Sequence, residues 1–314
     1  MSFKLSPSVL SQGRLSVRRL AVLAVMPFIL GVAGRTEAAA PPAPYSLPWQ
    51  LRPAGPARVL RLDTVYATYQ AADGSDGSTV ASLLLGSAKI GKSAALIGRV
   101  GLVKNDPPAG DGATVLTNLV LGGMYSPKLG GNWRMGLYLL TASPTAGGGG
   151  NDPDPAEALA IRSGVPARSA MDNAMFAAND FVLFPGIDLA WVKGGWTLQG
   201  EATLLQLWRV RGEEVQVDEE KTNFTTGLHV GCFASKKLSL GGELRYQRWL
   251  STPAAVEAKP EARDTATAAF GPRLHLKTGE TSWFRPGLSV AVPLDKPMTD
   301  ADYLIVQLDL PYSF

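Results

Sequence analysis

The residues able to do chemistry are few and widely spaced. The chain has two His, His229 and His275, and a single Cys, Cys232. That excludes a disulfide framework, a Cys-based zinc cluster and a His-rich metal site. No Gly-x-Ser-x-Gly elbow is present, and both His fall on polar positions of their segments, so a Ser-His pair facing a lipid substrate is not available. No catalytic residue is assigned. Asn151, Asp152, Asp154 and Glu157 supply hard oxygen ligands, but two Pro constrain them and they fall short of the roughly 6–8 oxygens calcium takes. No metal or cofactor is assigned. The acidic run Glu213, Glu214, Asp218, Glu219 and Glu220 reads as a solvated loop. What does recur is a charged or polar residue at alternating positions: Arg61, Asp63, Arg99, Asn118, Arg134, Asp188, Glu201, His229, Glu243, Arg245, Arg273, His275, Arg285 and Asp309.

Alternation is the strand period, with successive side chains on opposite faces. The last segment shows it plainly. Leu304, Val306, Leu308, Leu310, Tyr312 and Phe314 share one face, and Gln307, Asp309 and Ser313 the other. About twelve such segments follow one another, near 58–70, 78–89, 94–104, 114–126, 131–142, 181–193, 196–209, 222–234, 237–250, 264–277, 281–292 and 302–314, each long enough for a tilted membrane strand. Connections alternate long and short. The short ones lie at 90–93, 128–131, 193–195, 235–237 and 277–280; each contains Gly or Ser, and each contains Lys. The longest runs from Ala142 to Asp180.

The first stretch is an address. Lys4, Arg14, Arg18 and Arg19 precede a short apolar run, Leu20–Gly34, ending in Ala38-Ala39-Ala40. That order is a secretory signal peptide, and the run is shorter than the roughly 20 residues a spanning helix needs. Domains are expected at 1–40 (cleaved signal), 41–57 (Pro-rich periplasmic lead-in) and 58–314 (barrel). Removing Lys4, Arg14, Arg18, Arg19, Arg35 and Glu37 takes 30 basic and 27 acidic residues to 25 and 26. The mature chain is therefore near neutral, which argues against a nucleic-acid partner. The mean hydropathy of +0.05 averages two opposite faces.

Trp133, Trp191, Trp196 and Trp283 sit beside the short turns, as an interfacial aromatic girdle would. With the alternating strands and the C-terminal Tyr303–Phe314 segment, the chain resembles a Gram-negative outer-membrane β-barrel protein, porin-like, over roughly residues 58–314. The resemblance implies an all-β fold, a transmembrane antiparallel up-and-down barrel with short periplasmic turns and long extracellular loops. It implies a bacterial outer-membrane location, with membrane lipid and lipopolysaccharide around the barrel. It also implies that Leu304, Val306, Leu308, Leu310, Tyr312 and Phe314 form the signal read by the barrel-assembly machinery. Pro311 departs from the usual pattern and is expected near the rim.

The charged residues above are expected to line the lumen, since a charge facing lipid at mid-depth costs about 2–4 kcal/mol. Two readings stay open. The charges fill a closed structural or surface-interaction barrel, or they line a narrow passage for small hydrophilic solutes. Strand number favours the passage, lying between filled and water-filled barrels. A lipid-acting enzyme is the remote third class. The loop 142–180 either folds inward to constrict the passage or lies exposed. The lead-in Pro41–Pro56 reads as a tether, with docking of Trp49 and Arg52 in the barrel mouth as the alternative.

Overall fold

The computed structural model describes residues 45–314; the signal peptide assigned to 1–40 lies outside the described residues. The alternating segments form strands β1 (Val59–Gln70), β2 (Asp76–Ile90), β3 (Ala94–Asp106), β4 (Ala113–Leu116 and Leu119–Tyr125), β5 (Trp133–Ser143) and β6 (Asp180–Lys193). They continue as β7 (Trp196–Arg209), β8 (Glu220–Ser235), β9 (Leu238–Trp249), β10 (Asp264–Leu274 and Leu276–Lys277), β11 (Trp283–Phe284 and Gly287–Pro293) and β12 (Leu304–Ser313). Each strand pairs antiparallel with its neighbours in the chain. β12 returns to β1 in register from Val59↔Ser313 to Thr68↔Leu304. The result is a closed antiparallel barrel of 12 strands. Closure leaves no unpaired edge, the condition for a sheet to stand in hydrocarbon. Pro311 lies near the end of β12 opposite Arg61, and its carbonyl accepts from the Arg285 amide at 3.0 Å. The missing N–H thus falls at the tight-turn rim.

The two faces separate as the alternation requires. Leu62, Leu84, Leu121, Leu139, Ile187, Leu228, Leu244, Phe270, Leu288 and Leu308 are exposed on the outside. Arg61, Asp63, Asp188, Glu201, Glu243, Arg245, Arg273 and Asp309 are buried within. A continuous apolar belt of this extent suits lipid and not water, so the barrel spans a membrane. Where a polar group does face outward it is satisfied locally: the Thr226 hydroxyl donates to the Glu201 carbonyl at 2.6 Å. Leu228 sits near the middle of β8, beside Gly200 and Leu244 on the flanking strands. Leu228→Arg is expected to lower stability by about 2–4 kcal/mol, measured as a shifted urea midpoint of the refolded barrel. An unchanged midpoint would contradict the lipid-facing assignment.

Trp133 and Trp196 are exposed at the tight-turn rim, and Trp191 pairs with Trp133 on the same outward row. Tyr312, at the end of β12, and Phe314 just after it stack on each other with ring centroids 5.9 Å apart. Trp283 departs from the expected girdle. It pairs with Ser313 and Lys277, while its neighbour Phe284 pairs with the outward Tyr312. Strand parity therefore turns Trp283 toward the lumen mouth, where the Arg285 guanidinium lies 5.3 Å from its ring.

Candidate functional site

The lumen is not filled by its wall alone. Two segments of the same chain enter it, one from each end. From the tight-turn end comes 45–56, directly before β1, with Trp49 1% and Leu51 0% exposed. The tether reading of the lead-in is therefore corrected over these residues. Its Pro-rich backbone makes no ladder of its own, so its amides and carbonyls must find partners in the wall. Glu243 accepts from the Trp49 amide and, at 3.2 Å, from the Gln50 amide. Arg61 donates to the Pro48 carbonyl at 3.3 Å and to the Trp49 carbonyl. Arg273 donates to the Leu47 carbonyl at 3.2 Å. Arg52 pairs with Glu201 at 2.5 Å, lies 4.6 Å from the Tyr138 ring centroid, and its carbonyl accepts from Gln199 at 2.5 Å. Ser46 and Tyr45 reach Thr197 and Gln199.

From the long-loop end comes the connection between β5 and β6. It carries α1 (Pro155–Ala167) and α2 (Asn173–Phe176). α1 starts where Pro155 follows Asp154, whose carboxylate caps the Ala156 and Glu157 amides at 2.9 and 3.1 Å; that carboxylate serves the helix. Ala160, Ile161, Ala167, Met175 and Phe176 are buried with inward apolar side chains of β1–β7 and β10–β12. This is the inward of the two expected loop arrangements. The Ser169/Asp172 spacing, which loosely resembles a capping box, does not act as one. Ser169 has φ +53°, outside the usual N-cap geometry, and Asp172 is committed to Arg168 and Arg99 at 2.8 and 2.7 Å. Asn118 pins the segment by donating to the Ala174 and Ala177 carbonyls at 3.0 and 2.8 Å and accepting from the Ala146 amide at 3.0 Å. Arg211 of the next long loop holds it from outside, donating to the Ala146 and Ala178 carbonyls at 2.6 and 2.9 Å.

The two segments meet through one side-chain network. Gln307 donates to the Trp49 carbonyl at 3.3 Å and to Asp63 at 2.8 Å. Asp63 also accepts from Arg168 at 2.7 Å. Arg245 joins Glu243 at 2.9 Å, Ser169 at 3.3 Å and Gln307 at 3.1 Å. Asp309 takes Arg61 at 2.6 Å and Arg273 at 2.5 Å. Within this network buried charges of opposite sign are thus paired, as a low-dielectric site demands.

Of the expected lumen residues, Arg61, Asp63, Glu201, Glu243, Arg245, Arg273 and Asp309 converge on this network or on the entering segment. Asp188 accepts from Gln199 at 2.9 Å, and His229 lies edge-on to Trp49 with centroids 6.0 Å apart. Arg99 and Asn118 hold the loop. Arg134 lies 5.2 Å from the Tyr45 ring. His275 bonds Ser239 at 2.8 Å, near the tight-turn end with Arg285. Alternation also marks Gln199 and Gln307, which a search for charge passes over. Arg168 and Asp172 join the loop to the wall, and for these two strand periodicity holds no signal; Lys221 on β8 pairs with Asp180 at the start of β6 at 2.8 Å.

Asp172 lies on the connection, not on a strand. Burial alone would raise its pKa, but the Arg99 and Arg168 guanidiniums outweigh that and hold it below the usual carboxylate range. A depressed folded-state pKa stabilises above the unfolded value and is lost only as pH falls through the folded one. Protease resistance of the 142–180 segment is therefore expected to stay constant from about pH 7 to pH 5. A drop within that window would contradict the pairing.

No protein-family model matches the chain, and no curated protein does. Solved structures do. An outer membrane channel from Pseudomonas putida F1 superposes with TM-score 0.51 at 11% identity, covering 85% of this chain and 98% of that one. The NanC porin gives TM-score 0.48 at 10% identity, covering 81% and 98%. The fold is that of an outer-membrane barrel.

Proposed function

We propose that the protein is a bacterial outer-membrane channel for passive diffusion of small hydrophilic solutes, closed in this conformation by 45–56 and by the 142–180 connection. The observation that carries this reading is what fills the lumen. A purely structural barrel is closed by wall side chains meeting across it. Here the wall is polar, and the space between is occupied by two segments, one continuing into β1 and the other joining β5 to β6, whose departure would leave the ladder intact. The fold shared with a channel supports the reading. The rival, a barrel closed for good, draws on the ion pairing of the central network.

Planar-bilayer recording of the refolded protein tests the proposal. Stepwise currents are expected, rare for the intact chain and frequent after deletion of residues 147–178. A silent membrane in both cases, across voltages, would favour the permanently closed barrel.

A further inference from the structure

The tight turns share a feature that neither the strand pattern nor the lumen uses. Lys92 lies in the turn between β2 and β3, and Lys128 in the turn between β4 and β5. Lys193 precedes the turn between β6 and β7, and Lys236 and Lys237 form the one between β8 and β9. Arg58 precedes β1. All of these are exposed. None takes part in an ion pair, although exposed Lys104, Lys259 and Lys296 at the opposite end each do. The only acidic side chain on the tight-turn connections among the described residues is Glu280. The acids gather at the other end, on the long loops, with Asp106, Asp111, Asp152, Glu213, Glu214 and Asp218.

We infer that this rim is a docking ring for the headgroups of anionic phospholipids. Three observations converge on that occupant. First, the cations lie on four of the five tight turns and, with Arg58 before β1, ring most of the circumference, where a soluble partner would engage one arc or the mouth. Second, they stand at interfacial depth. Exposed Trp133 and Trp196 lie on the same rim, and exposed Ile90 and Leu274 are within a few residues of lysines. A Lys there lays its alkyl stem along the apolar strand end and lifts its ammonium into the headgroup layer. Third, with no acidic neighbours on most of the rim, the ammonium groups repel one another and need counter-charge from outside the protein. A phospholipid phosphate supplies it, and each Lys held near an anionic surface favours it by up to about fivefold. The tight turns of an outer-membrane barrel end in the periplasm-facing leaflet, which is the phospholipid one.

The test uses the whole refolded protein in phosphatidylcholine vesicles carrying a trace of spin-labelled phosphatidylglycerol or spin-labelled phosphatidylcholine. Electron paramagnetic resonance reads the motionally restricted fraction of each label. Phosphatidylglycerol is expected to be restricted several-fold more than phosphatidylcholine, and the preference to shrink in about 0.5 M salt. The triple variant Lys193→Gln/Lys236→Gln/Lys237→Gln is expected to lose a large part of it. Lys104→Gln/Lys259→Gln/Lys296→Gln, on the other rim, is expected to keep it. Equal restriction of the two labels by the intact protein would overturn the proposal. So would loss in the second variant and not the first, or displacement of phosphatidylglycerol by millimolar inorganic phosphate, which would assign the ring to soluble anions. The readout needs no current through the barrel, so it stands or falls apart from the channel reading.

Discussion

Deletion of residues 45–56 is expected to raise the mean current through the reconstituted barrel on the order of tenfold, since a barrel of this strand number has room for a narrow passage once nothing but its wall fills it. The segment supplies the buried bulk at the tight-turn half of the lumen: Trp49 and Leu51 are fully buried, and Arg52 fills the space between Glu201 and the Tyr138 ring. Its removal leaves Glu243 with Arg245 and Asp309 with Arg61 and Arg273, so most wall charges keep a partner. Glu201 loses its Arg and must be reached by water, which an open lumen provides. The strand ladder is untouched, and β1 still closes on β12. Heat-modified mobility of the refolded deletion checks that the barrel forms. A correctly folded deletion with the current of the parent would remove this segment from the gate.

Arg168→Ala is the second large effect. Arg168 is 1% exposed and ties the loop to the wall by pairing with both Asp63 and Asp172, at 2.7 and 2.8 Å. Truncating one member of a buried ionic cluster costs about 3–5 kcal/mol, because the remaining charges stay desolvated without their partner. Asp172 keeps Arg99 and Asp63 keeps Gln307, which points to the lower end of that range. The cheapest relief is for the 142–180 segment to swing out and let water reach both carboxylates. A cost of about 3 kcal/mol corresponds to roughly a hundredfold rise in the population of the opened loop. Protease cleavage between α1 and α2, with the barrel strands intact, measures it. A loop as resistant as the parent's would mean that Asn118, Arg211 and the apolar face of α1 hold it without the ion pairs.

Strand structure was legible from the sequence because it is a local, repeated signal. Every strand in the barrel has its alternating segment, and the short turns, each with Lys and with Gly or Ser, set the pairing order. The inward charges followed from the same period. Trp283 shows where this failed. Its neighbourhood near a turn suggested the lipid interface, but its register against Ser313 gives it inward parity, and register depends on pairing across strands. The lead-in failed for a different reason. Pro-rich extended chain looks the same whether it is a tether or a plug. Only the wall groups that bond its backbone (Glu243, Arg61, Arg273, Gln199) reveal which, and those lie more than a hundred residues away for all but Arg61. Arg168 and Asp172 were invisible as functional residues because they ride on a loop with no period.

The lumen thus has two closing parts held by one network, in which Gln307 touches 45–56, Arg245 touches the 142–180 segment, and the two bond each other at 3.1 Å. Displacing 45–56 frees Gln307 from the Trp49 carbonyl and Glu243 from the Trp49 amide, and both feed the cluster that binds Arg168 and Ser169. Opening at one end therefore loosens the other, and the two deletions are expected to raise current by less together than the product of their separate effects, as coupled sites do.

The most direct test is to fasten the entering segment in place. The Ser46 and Ser239 hydroxyls lie 3.4 Å apart, close enough for a disulfide after small adjustment. In a Cys232→Ser background, Ser46→Cys/Ser239→Cys is recorded in a planar bilayer first oxidised and then with reductant added. The stepwise currents are expected to vanish on oxidation and return on reduction, while the Cys232→Ser parent does not respond. Equal currents in the oxidised and reduced forms, with the disulfide verified, would show that solutes pass without movement of 45–56 and would contradict the account.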